Sequence, residues 1–259
     1  MPCKKKQSKH YNLFLFVIFA SFLLVAPAHA ATKKNLNILF IGNSYTYYNN
    51  FPALLTNLIN KSKKSPVTVN IQIVVNGGYD FLDHWNNGRA LRTIKSAKWD
   101  YVVLQNQSGW AMENGRKEEA FRFGPEFAKA IKNSGGVPVI YETWPREKNN
   151  DAYTKWPQFK NYKYSYSALK KYSHDLANAI GGDVVRVNYY WTMAQHKNPD
   201  LTLYTDGSHP NALGTYLAAL VFYNYFTGQD YTESYTPENI TAEDAEFIKT
   251  IVQMPLPEN

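Results

Sequence analysis

A single cysteine, Cys3, is present in the 259 residues, and it precedes the chain's one long apolar run. Past it there is no thiol, so disulfides, thiolate metal sites and a cysteine nucleophile are excluded from the body of the protein. The fold must hold by its core alone, which a chain of this length can supply. Long hydrophobic runs are equally scarce. Leu13 to Val25 is about 13 residues, against the roughly 20 that a spanning helix needs. Lys4, Lys5, Lys6 and Lys9 precede that run and Ala28-His29-Ala30 follows it, the layout of an export signal with a small-residue cleavage site. The alternative, an uncleaved membrane anchor, is disfavoured by the same length and flanks. No cysteine follows the run, which argues against lipid attachment there. The expected organisation is therefore a signal over residues 1–30 and one domain over 31–259, delivered to a periplasm or the cell exterior.

Charge is thin as well, with Asp, Glu, Lys and Arg making up 19% of the chain. The formal net charge is +7, and taking away the four lysines of the signal leaves +3. That mild excess aids solubility and gives no footing for nucleic-acid binding. Neither a nucleic-acid partner nor stable membrane insertion after cleavage is expected. What the chain has in quantity is aromatic residues, at 15%, with 20 Tyr and 6 Trp. Some belong to a core; others fall in polar loops and are candidates for stacking on sugar rings.

No internal repeat, low-complexity linker or composition shift interrupts the chain after the signal. Short β-branched runs at Asn37 to Ile41, Val67 to Val75, Tyr101 to Leu104, Val137 to Tyr141 and Val184 to Val187 read as five strands. Between and after them, segments with helical spacing cover Pro52 to Asn60, Arg89 to Ala97, Lys117 to Asn133, Tyr164 to Ile180, Asn211 to Tyr225 and Thr241 to Val252. Pro52 suits a first helical turn, and the pairs Gly135-Gly136 and Gly181-Gly182 suit helix ends. Strands alternating with helices predict an α/β fold with a mainly parallel sheet. Sites in such sheets collect at the carboxyl ends of the strands.

The residues just past each strand carry the chemistry. They are Gly42-Asn43-Ser44, Asn76-Gly77-Gly78, Gln105-Asn106-Gln107-Ser108 and Glu142-Thr143-Trp144, and after the fifth strand a polar passage holds Asp206-Gly207-Ser208-His209. A serine hydroxyl needs a base to become a nucleophile, usually a histidine oriented by a carboxylate. Asp206 and His209 are three residues apart, so one turn can set the carboxylate against Nδ1 and leave Nε2 for Ser44. The oxyanion formed on attack needs two or three donors. The Ser44 N–H, a glycine N–H after the second strand and a side-chain amide after the third can supply them.

Ile-Gly-Asn-Ser-Tyr-Thr (41–46), the glycine and amide blocks, and Asp-Gly-Ser-His-Pro-Asn (206–211) together resemble the four blocks of SGNH/GDSL hydrolases, in the right order over roughly residues 35–228. The resemblance implies a three-layer, flavodoxin-like sandwich around a mainly parallel five-stranded sheet, with a shallow active site and no cofactor. It implies Ser44 as nucleophile and first oxyanion donor, His209 as base, Asp206 as its orienting carboxylate, and Gly78 and Asn106 as further donors. The first block has Asn43 where many members have Asp. The third reads Leu-Gln-Asn-Gln-Ser instead of Gly-x-Asn-Asp, and aligning the strand ends would give the donor role to Gln107. The implied activity is ester hydrolysis, with acetylated or otherwise short-acylated saccharides as the preferred substrates. A lipid esterase or thioesterase, an acyltransferase, and a non-catalytic carbohydrate-binding protein are the alternatives.

Blander readings exist for each residue. Ser44 can cap the next helix, and Asp206 with His209 can form a turn before Pro210. His84 has two readings, a residue lining the substrate cleft and a structural histidine, and the second is favoured. His174 and His196 have no ligand partner at metal-binding spacing, so no metal is expected. Trp144, Tyr153, Trp156 and Tyr162 lie in the passage after the fourth strand, and the reading favoured for them is contact with substrate rather than cover for the sheet edge. Tyr45 and Trp110 are further candidates of that kind, and Tyr189-Tyr190-Trp191 reads as packing.

Overall fold

The first strand, β1 (Lys34–Gly42), shows the two-residue period of an extended chain buried on both faces. Leu36, Ile38 and Phe40 enter one hydrophobic core, and Leu39 and Ile41 enter the other. The computed structural model describes residues 1–2 and 33–257; the signal expected over 1–30 lies outside them except for its first two residues. β1 pairs along its whole length with β2 (Val67–Val75), and on its other side with β3 (Tyr101–Leu104). β4 (Val137–Tyr141) and β5 (Asp183–Val185) complete a sheet of order β2-β1-β3-β4-β5 in which every pairing is parallel.

The connections are helical: α1 (Ser44–Tyr47), α2 (Phe51–Lys61), α3 (Phe81–Asn87), α4 (Arg89–Ser96), α5 (Asn114–Asn133), α6 (Ala152–Lys155), α7 (Tyr162–Ile180), α8 (Val187–Lys197), α9 (Ala212–Thr227) and α10 (Ala242–Val252). Helices α2, α8, α9 and α10 cover the face where Phe40 points, and α3, α4, α5 and α7 cover the face where Leu39 points. This is the three-layer flavodoxin-like sandwich the sequence predicts. α9 is apolar all round because it is enclosed: 13 of its 16 residues are buried, between the sheet and α2, α8 and α10. Gly181 ends α7 in the left-handed conformation, as its position suggested.

The sequence reading does not delimit the short helices α1, α3 and α6 and begins the first strand at Asn37 rather than Lys34; it differs most at the fifth strand. The fifth strand stops at Val185, and Val187 opens α8, a helix the sequence did not reveal. No side chain caps it at Arg186, and Val187, Tyr189, Tyr190 and Trp191 are weak helix formers, so propensity gives no signal. Tertiary burial decides instead, with Val187 and Trp191 fully enclosed.

The strand order places a topological switch between β1 and β3, since the chain leaves β1 outward to β2 and then crosses back. Such switch points open a crevice above the carboxyl ends of the two strands. Ser44 is the second residue beyond β1.

Candidate active site

At the end of β1 the backbone turns sharply into α1, and Asn43 makes the turn. Its Oδ1 accepts from the Tyr45 N–H (3.1 Å), its amide donates to the Tyr79 carbonyl (3.0 Å), and its own N–H donates to Gln105 Oε1 (2.8 Å). The loops after β1, β2 and β3 are thereby tied together directly beneath Ser44. An aspartate could accept at this position but could not donate to Tyr79. Gly42 is required by crowding, because a Cβ there would lie 2.5 Å from both Gln105 Oε1 and Thr46 Oγ1. His84 is buried, and its Nε2 lies 2.9 Å from the Gly42 carbonyl, to which it donates. Burial lowers its pKa, so it braces the strand end as a neutral ring.

The second half of the site is the loop before α9. An antiparallel bridge between Tyr204 and Pro210 closes it, and Gly207 supplies the left-handed residue at its tip (φ +74°). Inside, Asp206 Oδ1 accepts from the N–H groups of Ser208 (3.0 Å) and His209 (2.7 Å), and Oδ2 lies 2.8 Å from His209 Nδ1. Partial burial pushes the Asp206 carboxyl up, but the hydrogen bonds from His209 and Ser208 outweigh it and hold the group below the usual carboxylate range. With Asp206 ionised, Nδ1 donates to it, and Nε2 is left as an acceptor. His209 Nε2 lies 2.8 Å from Ser44 Oγ. The imidazole plane is set by neighbours as well: Tyr48 stacks on it at 4.4 Å, and the Tyr45 ring meets it edge-on at 5.5 Å.

Ser44 and His209 open onto a cleft of about 390 Å³ that Gly78, Gln107, Tyr48 and Arg146 also line. Gly78 adopts φ +75°, a conformation that suits glycine, and its N–H and that of Ser44 make no hydrogen bond within the described residues. Of the residues the sequence singled out, Ser44, Gly78, Asp206 and His209 therefore come together. Asn106 does not join them. It is buried, its Oδ1 accepts from the Phe81 N–H (2.9 Å), and its Nδ2 donates to the Tyr172 hydroxyl (2.6 Å). Gln107 faces the cleft, with Oε1 engaged by the Gly109 N–H and Nε2 making no hydrogen bond within the described residues. Both residues lie in the segment just past β3, where Asn106 takes the side facing α3 and α7 and Gln107 the side facing the cleft.

The aromatic passage after β4 is placed differently from the favoured reading. Trp144 is buried, stacked between Tyr45 (4.8 Å) and Trp191 (3.9 Å), and its Nε1 donates to the Ser208 carbonyl (3.0 Å). The Tyr153 hydroxyl donates to the Arg146 carbonyl, Tyr162 bonds Thr192 and Gln195, and Trp156 is exposed; none of the three lines the Ser44 cleft. The rings at the cleft are Tyr45, Tyr47 and Tyr48. Tyr48 was legible in principle, since it follows Ser44 by four residues, one helical turn. Among the described residues no three His, Cys, Asp or Glu side chains gather as a metal site, and no helix is long and apolar enough to cross a membrane.

No protein-family profile and no curated protein matches the sequence. Solved structures do match the fold. A DUF4886 family protein from Bacteroides uniformis aligns with a TM-score of 0.68 at 18% identity, over 85% of this chain and 93% of its own. A protein from Slackia heliotrinireducens assigned as an SGNH hydrolase aligns at 0.63 and 24% identity, over 76% of this chain and all of its own (100%). An acetylxylan esterase from Geobacillus stearothermophilus aligns at 0.55 and 13% identity, over 79% of this chain and 100% of its own. The chain has the SGNH hydrolase fold.

Proposed function

We propose that this chain, built on the SGNH hydrolase fold, is an exported serine ester hydrolase that removes acetyl or other short acyl groups from saccharides. The observation that carries the reading is the continuous relay from Asp206 Oδ2 through His209 to Ser44 Oγ, with both contacts at 2.8 Å. Three groups that nucleophilic acyl transfer requires are within bonding reach, at the sheet edge where this architecture opens a crevice.

The chemistry follows from the proton positions. Ser44 Oγ attacks the acyl carbonyl carbon as its proton passes to His209 Nε2. The imidazolium that forms is stabilised by the Asp206 carboxylate, which stays ionised. The carbonyl oxygen becomes an oxyanion, and the free N–H groups of Ser44 and Gly78, with Gln107 Nε2 as third donor in place of Asn106, are the groups that receive it. Collapse breaks the ester C–O bond, and His209 returns its proton to the departing alcohol oxygen. Water then attacks the acyl-serine with the same base, releasing the acid and restoring Ser44.

The open cleft of about 390 Å³ and the tyrosines at its wall suit a small acyl group on a sugar better than a long alkyl chain. The acetylxylan esterase among the structural neighbours is in keeping with that substrate class. Export rests on the basic Lys4–Lys9 cluster, the apolar run and the Ala28-His29-Ala30 site.

The test is hydrolysis of aryl esters from acetyl to palmitoyl by the mature protein and its Ser44→Ala variant. Acetyl-selective turnover that vanishes with Ser44 is the expected result. A preference for long chains would overturn the saccharide assignment, and turnover that survives in Ser44→Ala would overturn the mechanism.

A further inference from the structure

We infer that Arg146 makes the cleft selective for esters whose alcohol carries a carboxylate, as an O-acylated uronic acid does; this rests on the ester-hydrolase reading above. The lining of the cleft contains one guanidinium and no Asp or Glu. Asp206 stands behind His209 and is committed to its own loop through Oδ1 and Oδ2. Glu147, the neighbour of Arg146 in sequence, directs its carboxylate to Thr202 Oγ1 (3.5 Å). The Arg146 guanidinium makes no ion pair or hydrogen bond among the described residues, and its Nε is buried without a partner. Arg116 shows the contrasting case: it pairs with Asp80 at 3.0 Å and lies over the Trp110 ring.

The backbone that carries Arg146 is held on several sides. The Tyr153 hydroxyl donates to the Arg146 carbonyl (2.7 Å), the Tyr204 hydroxyl to the Pro145 carbonyl (2.9 Å), and the Glu147 N–H to the Gly207 carbonyl (2.9 Å). With its backbone fixed and its head unpaired, Arg146 can take a ligand carboxylate without giving up an existing partner. The flat guanidinium fork matches the two oxygens of a carboxylate, which an ammonium would not.

The position of the cation also says which half of the ester bears the charge. The Arg146 segment is bonded to the His209 loop through Glu147 to Gly207 and through Trp144 Nε1 to the Ser208 carbonyl (3.0 Å). His209 is the group that hands the proton to the departing alcohol. Arg146 thus stands on the alcohol's side of the scissile bond, and the acyl group remains neutral at Ser44.

The experiment compares acetate release from a mono-O-acetylated methyl glucuronoside and from its uronamide, in which a neutral carboxamide that offers no second ester replaces the carboxylate. Wild type should favour the free carboxylate by about 10- to 100-fold in kcat/KM, the scale of one charge-assisted pair. In Arg146→Gln the ratio should fall to near one, and in Arg146→Lys part of it should return; thermal melts establish that each variant is folded. Equal kcat/KM for the two substrates in wild type, or a ratio that survives in Arg146→Gln, would overturn the assignment. Failure of the hydrolase reading looks different, because wild type would then turn over neither sugar nor aryl acetate. Calorimetric titration with methyl glucuronoside and its methyl ester decides in that event. Binding of the charged sugar alone, lost in Arg146→Gln, supports Arg146 as the carboxylate site; equal binding or none overturns it.

Discussion

Ser44 Oγ and His209 Nε2 lie 2.8 Å apart across 165 residues of sequence, one just past β1 and the other just before α9, the most buried helix. Groups so coupled act as a unit in catalysis. Ser44→Ala and His209→Ala should each lower kcat by about four orders of magnitude or more, and the double variant should be little worse than either single one. Additive losses in steady-state kinetics, or near-normal turnover in either single variant, would contradict a shared proton-transfer step.

Asn106 and Gln107 are adjacent, yet their substitutions should separate cleanly. Gln107→Ala removes a donor from the cleft, and the expected loss is about 100- to 1000-fold in kcat with little change in melting temperature. Asn106→Ala strands the Phe81 N–H and the Tyr172 hydroxyl in the interior, so its cost should appear as about 1–3 kcal/mol of stability per unsatisfied group. Denaturant melts and initial rates on one acetyl ester distinguish the two. If kcat falls in Asn106→Ala and not in Gln107→Ala, the roles are reversed.

The sheet and the outer helices were legible because β-branched runs and glycine stops obey short-range rules. β2, β3 and β4 were found residue for residue, and the inner part of β1 with them. α8 was not, since its aromatic residues carry no helical signal and only burial against α9 and α10 selects the conformation. The Ser44, Asp206 and His209 set was readable as chemistry: three residue types with one plausible joint use. The third donor was ambiguous because the side to which Asn106 or Gln107 points depends on where β3 ends, a matter of one residue. The role of Trp144 was misjudged for a related reason. A tryptophan past a strand end can face the cleft or the core, and here the partners that draw it inward, Tyr45 and Trp191, are 99 and 47 residues away in sequence.

Trp144 links the core to the His209 loop, which makes its contribution testable in two steps. Trp144→Ala would leave a cavity between Tyr45 and Trp191 and should destabilise the protein by about 3–5 kcal/mol. Trp144→Phe keeps a ring in the stack but loses the bond from Nε1 to the Ser208 carbonyl, one residue from His209. Its expected effect is a fall in kcat of about 3- to 30-fold at nearly constant KM, on the scale of one hydrogen bond supporting the base. A change confined to KM would show that Trp144 serves substrate binding instead.

Glu142 offers a prediction about stability rather than catalysis. It follows β4, with its side chain buried and Oε2 without a hydrogen bond; His174 Nε2 stands 3.7 Å away. Burial raises its pKa from the ordinary 4.5 to about 7, against the opposing pull of Asn188, Arg186 and Lys170. Between those values the folded protein holds a proton that the unfolded chain has released, so stability falls as pH rises through the window and stays low above it. The cost above pH 7 is at most about 3 kcal/mol, from 1.36 kcal/mol per pH unit. Glu142→Gln should therefore melt close to wild type near pH 4.5 and several degrees higher at pH 8, at roughly 2–4 °C per kcal/mol for a domain of this size. His84 has its pKa lowered by burial in both proteins, so its opposite dependence cancels in the comparison. His174, lowered chiefly by burial as well, is the neighbour able to respond, and repeating the melts in a His174→Gln background isolates the carboxyl. A gain from Glu142→Gln that is the same at both pH values would show that packing, not the buried charge, sets the difference.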